Sequence, residues 1–63
     1  MQVERIAETQ FSNIYGIYEN NGQPIGTAEL KIAGRDAGKI FFYSLSGRYT
    51  RKQIETIYKA NRK

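Results

Sequence analysis

The sequence contains no cysteine and no histidine, and these two absences exclude several classes of protein. No disulfide can form, and the chain lacks the usual ligands of structural zinc and any side chain whose ordinary pKa lies near neutrality. No G-x-G-x-x-G, P-loop or G-x-S-x-G motif occurs, and the six acidic residues have no spacing that would gather a metal. The sequence therefore predicts a protein that is not an enzyme and uses no metal or cofactor.

Long apolar runs are also missing. The longest, "IFFY" at residues 40–43, is far shorter than a membrane-spanning helix or the apolar core of a signal peptide, and residues 1–10 carry three charges. The absence of cysteine fits a reducing compartment. We expect a soluble, cytoplasmic protein that does not contact a membrane.

The chain has 63 residues, so it forms one small domain, residues 1–63, with a thin core. A domain of this size buries only about 60% of the surface that its unfolded chain exposes. Such a core supplies roughly 3 to 5 kcal/mol of stability. Packing must therefore stabilise the fold without disulfides or zinc, and dimerisation would add to it.

Turn signals divide the first 45 residues into strands. Asn21-Gly22 predicts a hairpin turn, and Gly34 and Gly38 mark the next turn. Alternating or β-prone segments predict three antiparallel strands, at about 13–19, 26–33 and 39–45. Residues 3–7 fit either a short helix or a fourth strand, and we favour the strand.

The C-terminal segment carries the signals of a helix start. Thr50 and Gln53 have the spacing of a capping box, which predicts a helix that begins at Arg51 within about 50–61. One stripe at helical spacing is expected to pack on the sheet, formed by Ile54, Ile57, Tyr58 and Asn61. The predicted fold class is α+β: a three-stranded antiparallel β-meander, four-stranded if residues 3–7 join it, packed against one C-terminal α-helix.

Basic charge is concentrated in the second half of the chain. Residues 1–30 hold one base and four acids, whereas residues 31–63 hold nine bases and two acids. A localised basic field attracts polyanions, such as nucleic acid or an acidic protein surface. The alternative is a solvated surface that has no specific partner.

The predicted helix begins with two bases, Arg51 and Lys52, where the positive end of the helix dipole disfavours each by roughly a few tenths of a kcal/mol. Together with Arg48, they would surround the free N–H groups of the first turn, an arrangement that can bind an anion such as phosphate. Alternatively, Arg51 and Lys52 simply point to water, where solvent and salt screen the cost.

The predicted sheet has apolar residues on both faces. Alternation places Ile40 and Phe42 on one face and Phe41 and Tyr43 on the other. One helix covers only one face, so the second is exposed, covered by the N-terminal segment or buried in a partner. Exposed aromatic rings beside lysines would form a platform on which bases stack, whereas the alternative is that they belong to the core or to a dimer interface.

These observations predict a small basic protein that binds nucleic acid, with DNA favoured over RNA. It would be a regulator or accessory factor of the kind that phages and mobile elements encode. The predicted contact residues are Lys31, Arg35, Lys39, Phe41, Tyr43, Arg48, Arg51, Lys52, Lys59 and Arg62. The alternative is a small inhibitor or adaptor that docks on an acidic surface of a larger protein. A homodimer is compatible with both hypotheses.

The order of predicted elements over "IYGIYENNGQPIGTAELKIAGRDAGKIFFYSLSGRYTRKQ", residues 14–53, resembles the arm-type DNA-binding domains of phage integrases and the AP2 domains of plants. The resemblance lies in element order, and no diagnostic motif matches. Those domains place their sheet in the major groove, so the resemblance implies contact between the sheet and duplex DNA.

Overall fold

The computed structural model describes residues 1–61, which form a four-stranded antiparallel sheet followed by one helix. The elements are β1 (Gln2–Glu8), β2 (Ser12–Tyr18), β3 (Pro24–Lys31), β4 (Ile40–Ser44) and α1 (Arg51–Asn61). The strand order is β1-β2-β3-β4, so β1 and β4 are the two edges of the meander. The predicted α+β architecture is confirmed, and the segment at residues 3–7 forms the fourth strand.

The hairpin between β2 and β3 turns where the sequence predicts. Gly22 has a φ of 89°, in the left-handed region that favours glycine. The Gly22 N–H donates to the carbonyl of Glu19 at 2.8 Å, and the Glu19 N–H donates to the carbonyl of Gln23 at 2.9 Å. Pro24, which has no N–H to donate, is the first residue of β3.

A β-bulge at the start of β3 adds a side chain to the core. Ile17 pairs with Gly26, but Tyr18 pairs with Pro24, so Ile25 is an extra residue on β3. Gly26 faces the helix, so strict alternation would point its neighbour Ile25 to the opposite face. Because a bulge interrupts this alternation, Ile25 can also point towards the helix. Ile25 is 1% exposed and belongs to the core cluster.

The core lies between α1 and one face of the sheet. Its buried hydrophobic residues are Ile17, Ile25, Ala28, Ile54 and Tyr58. The Tyr58 ring meets the rings of Tyr15 and Phe42 edge to face, with centroids 5.7 and 5.6 Å apart. This aromatic cluster anchors the second half of α1.

The helix crosses the sheet from β4 towards β1. Arg51 and Lys52, at its start, line a groove with residues of β4, and Asn61, at its end, lines another with residues of β1. The Gln53 N–H donates to Thr50 Oγ1 at 3.2 Å, and the Thr50 N–H donates to Gln53 Oε1 at 2.8 Å. The predicted capping box is therefore present and sets the helix start at Arg51.

Candidate nucleic-acid interface

The sheet face opposite α1 is uncovered in the described part of the chain. Phe41 and Tyr43 lie on this face and are 37% and 48% exposed, whereas Phe42 packs against the core on the other face. The alternation predicted for β4 is therefore present. Since the N-terminal segment lies beside β2 as the edge strand β1, it does not cover this face. Two aromatic rings on an outer strand are thus accessible to a ligand.

A third aromatic ring, that of Tyr18, extends this surface. Tyr18 and Gly16 lie two residues apart on β2 and share the uncovered face. A Cβ placed on Gly16 would lie 2.8 Å from two ring carbons of Tyr18, so the ring lies across the sheet above this glycine. Tyr18 is not among the contact residues predicted from the sequence. A glycine two positions before an aromatic residue in a strand is the signal that could have identified it.

The middle of the uncovered face carries an ion pair. Glu29 Oε2 accepts hydrogen bonds from Lys31 Nζ at 2.9 Å and from Ser12 Oγ at 2.8 Å. The bonds from Lys31 and Ser12 lower the pKa of Glu29, and the bond to Glu29 raises the pKa of Lys31. Both groups therefore stay charged at neutral pH and largely cancel each other, so Lys31 is not a free cation.

Several other bases of the second half also have acidic partners. Lys39 Nζ lies 3.2 Å from Asp36 Oδ1, and Lys59 Nζ lies 2.7 Å from Glu55 Oε2. The hydrogen bond from Lys59 is the main cause that lowers the pKa of Glu55. Local pairing thus makes the basic field weaker than the count of bases suggests.

Arg48 takes part in a network that links the loop before α1 to the β2–β3 hairpin. Its guanidinium lies 3.3 Å from Glu19 Oε1 and 5.9 Å from the centroid of the Tyr49 ring. The Tyr49 hydroxyl donates to the same Glu19 oxygen at 3.1 Å, and this bond is the main cause that raises the pKa of Tyr49. Arg48 is therefore engaged with Glu19 and Tyr49 rather than being a free cation at the helix start.

Three bases have no ion pair with any residue in the described range 1–61: Arg35, Arg51 and Lys52. Two of them, Arg51 and Lys52, line a groove of about 530 Å³ beside β4. The other lining residues are Ile40, Phe41, Phe42 and Glu55. Phe41 therefore lines the same groove as two bases that form no ion pair within residues 1–61. Lys52 nevertheless lies close enough to Glu55 to help lower its pKa.

The free edge of β4 adds backbone hydrogen-bonding groups to this groove. The Lys31 N–H donates to the carbonyl of Lys39 at 2.9 Å, and the Leu45 N–H donates to the carbonyl of Ile25 at 3.0 Å. Lys39 and Leu45 therefore direct these groups towards β3. Because backbone groups alternate in direction along an antiparallel strand, those of Ile40, Phe42 and Ser44 point to the free edge. An anion in the groove could accept a hydrogen bond from the Phe42 N–H.

The ten predicted contact residues fall into separate places. Three lie on the uncovered face: Lys31, Phe41 and Tyr43. Two lie between β3 and β4: Arg35 and Lys39. Four lie on α1 or just before it: Arg48, Arg51, Lys52 and Lys59. Arg62 lies outside the described residues. The groove beside β4 brings together only Phe41, Arg51 and Lys52 of these ten.

No helix within residues 1–61 has the length and apolar character needed to cross a membrane. In the same range, no three acidic side chains cluster in a way that could hold a metal ion. No family model, no curated protein and no solved structure matches the chain.

Proposed function

We propose that the protein binds nucleic acid along β4, as a small regulator or accessory factor. The observation that carries this proposal is the groove that Phe41, Arg51 and Lys52 line together, next to the sheet face on which the Phe41 side chain is exposed. A nucleotide presents an apolar base face and an anionic phosphate, and this groove offers a partner to each. The uncovered face continues the aromatic surface to Tyr43.

The two cations suit phosphate in different ways. The planar guanidinium of Arg51 can donate two parallel hydrogen bonds to phosphate oxygens, whereas the ammonium of Lys52 acts as a compact point charge. Each neutralised phosphate releases condensed counterions, which provides the favourable free energy of such contacts at low salt. Arg35 and Lys39 lie in the segment that leads into β4, and Lys39 is paired there with Asp36.

One acid also lines the groove, and its charge opposes phosphate binding. Glu55 lies among the lining residues, but its carboxylate is bound to Lys59 Nζ at 2.7 Å. The hydrogen bond from Lys59 is the largest of the causes that lower the pKa of Glu55, and this ion pair offsets part of the charge of Glu55. Among the lining residues, the two bases Arg51 and Lys52 outweigh the single acid Glu55, so the groove keeps a net positive charge.

A salt titration of binding tests the proposal. The affinity for fluorescently labelled DNA and RNA oligonucleotides is measured by anisotropy at several salt concentrations. For duplex DNA, log K falls with log salt by about 0.9 for each phosphate contacted, so four to six contacts predict a slope of about −4 to −5. A single strand gives a smaller slope, about −0.7 for each contact. An affinity that does not change with salt, or no binding at low salt, would refute the proposal and leave the acidic protein partner as the alternative.

A further inference from the structure

We infer that the nucleic acid is single-stranded and that successive bases are splayed apart on the rings of Phe41 and Tyr43. This inference rests on the proposed function and makes it more specific. It also departs from the resemblance in element order, which implies duplex DNA. Three features carry it: the spacing of the residues that bear the rings, the pairing of the polar side chains on the uncovered face, and the position of Arg51 and Lys52 across the β4 edge.

The spacing of the two ring-bearing residues along β4 does not match that of a stacked strand. Phe41 and Tyr43 lie two residues apart on the same face of β4, which separates them by about 6.8 Å along the strand. Neighbouring bases within one strand of a duplex are separated by about 3.4 Å. Two neighbouring bases that each cover one of these rings must therefore be pulled apart to about twice the stacked distance. Only an unstacked single strand allows this without breaking base pairs.

The polar side chains of this face are poorly suited to reading a duplex. A protein reads duplex sequence through hydrogen bonds from its side chains to base edges, and it leaves base faces inside the stack. Glu29 and Lys31 occupy the middle of the face, but they bind each other at 2.9 Å and their side chains are only 23% and 30% exposed. Among residues 27–31 of β3 and the residues of β4 on this face, the exposed ones are Phe41 and Tyr43, whose rings offer contact to base faces. Their insertion into a duplex would require costly unstacking of base pairs.

The charges place the sugar-phosphate backbone at the edge of the sheet. The Glu29–Lys31 pair leaves the middle of the face with little net charge, whereas Arg51 and Lys52 lie across the β4 edge in the groove that Phe41 also lines. A strand whose bases lie on the face can therefore keep its phosphates beside these two cations. The Tyr18 ring, further across the same face, is available to a third base.

The test compares three short probes of the same base sequence: single-stranded DNA, single-stranded RNA and duplex DNA. Their affinities are measured by anisotropy at one fixed salt concentration. We expect at least one single strand to bind about tenfold or more tightly than the duplex. A preference for one of the two single strands would show whether the protein favours DNA or RNA. Equal binding of both would support the inference as well.

Variants of the two rings test whether the bases stack there. Phe41→Leu and Tyr43→Leu should each weaken single-strand binding by about fivefold or more, since a stacked base contributes at least that much. Tyr43→Phe keeps the ring and removes only the hydroxyl that bonds Glu29, so it should retain most of the parent affinity. Phe11→Leu is the matched control. Phe11 is also an exposed aromatic residue, at 54%, but it lies in the loop between β1 and β2 and not on β4. A thermal melt of each variant establishes that it is folded.

The outcomes separate the inference from the proposed function. Duplex binding as tight as single-strand binding, or no loss of affinity in folded Phe41→Leu and Tyr43→Leu, would overturn the inference but leave nucleic-acid binding intact. No binding of any probe at low salt would overturn both. Because the chain has no tryptophan, quenching of tyrosine fluorescence by the single strand gives an independent readout. This quenching should be weaker in Tyr43→Leu.

Discussion

Gly26 lies where α1 packs most closely on the sheet, and its replacement by alanine is a sharp test of this packing. A Cβ at this position would lie 2.7 Å from the carbonyl oxygen of Tyr43 and 2.8 Å from Ile54 Cδ1. Both distances are shorter than the contacts that real Cβ atoms make. The alanine methyl must therefore displace β4, α1 or both.

The expected cost follows from two opposing effects. Overpacking a close contact typically destabilises a protein by about 1 to 3 kcal/mol, and the Tyr43 carbonyl belongs to the backbone and cannot rotate away. Alanine is otherwise better than glycine in a strand, by roughly 0.5 to 1 kcal/mol. We expect Gly26→Ala to lower the free energy of unfolding by about 1 to 2 kcal/mol. This lowers Tm by about 4 to 8 °C per kcal/mol in a domain of this size.

Urea denaturation and thermal melting, both followed by circular dichroism, measure the effect. Gly47→Ala is the control, because no atom lies within 4 Å of its added Cβ and its φ is not in the left-handed region. Adding Ile54→Val to Gly26→Ala removes the Cδ1 contact but not the carbonyl contact, so the two substitutions together should cost less than the sum of their separate effects. If Gly26→Ala melts like the parent protein, or if Gly47→Ala loses as much stability, this account of the packing is wrong.

Other predictions concern caps and ion pairs. Thr50→Ala should lower stability by about 1 kcal/mol through the lost cap, as measured by urea denaturation, whereas Thr50→Ser should not. The pKa of Glu29 is below its ordinary value of 4.5 in the folded protein, so its ion pair stabilises the fold above pH 4.5 and this contribution is lost as the pH falls through the lowered value. As the pH is lowered below 4.5, the Tm of Glu29→Gln should therefore fall less steeply than the Tm of the parent protein. Glu19→Gln should lower Tm because it removes the ion pair with Arg48 and weakens the hydrogen bond from the Tyr49 hydroxyl.

Local signals predicted the elements of the fold well. The helix start depends on Thr50 and Gln53, which are close in sequence and bond each other directly, so the pattern was sufficient. The β2–β3 turn depends in the same way on Asn21-Gly22. The burial of Ile25 could not be predicted, because the bulge arises from how β3 pairs with β2.

Long-range contacts limited what the sequence could predict about the interface. Arg48 and Glu19 are 29 positions apart, and nothing local indicated that they would form an ion pair. Phe41 and Lys52 line one groove because of the direction in which α1 crosses the sheet. The apolar stripe of the helix predicts which side of α1 packs on the sheet, but not this direction. The charge asymmetry indicated a basic half, but tertiary structure determines which bases have acidic partners.

A pair of charge reversals tests whether phosphate binds in the groove beside β4. Arg51→Glu and Arg5→Glu change the net charge equally, but Arg5 lies on β1, the opposite edge of the sheet. Affinity for a labelled single-stranded oligonucleotide is measured by anisotropy as a function of salt, with Tm determined for both variants. Arg51→Glu should keep or slightly raise Tm, because an acid suits the helix start.

Arg51→Glu should weaken binding about tenfold, which is 1.4 kcal/mol, and should make the salt dependence shallower by the equivalent of about one phosphate contact. Arg5→Glu should lose much less affinity and keep the parent slope. Equal losses in the two variants would mean that only net charge matters, and normal binding by folded Arg51→Glu would show that phosphate does not bind in this groove.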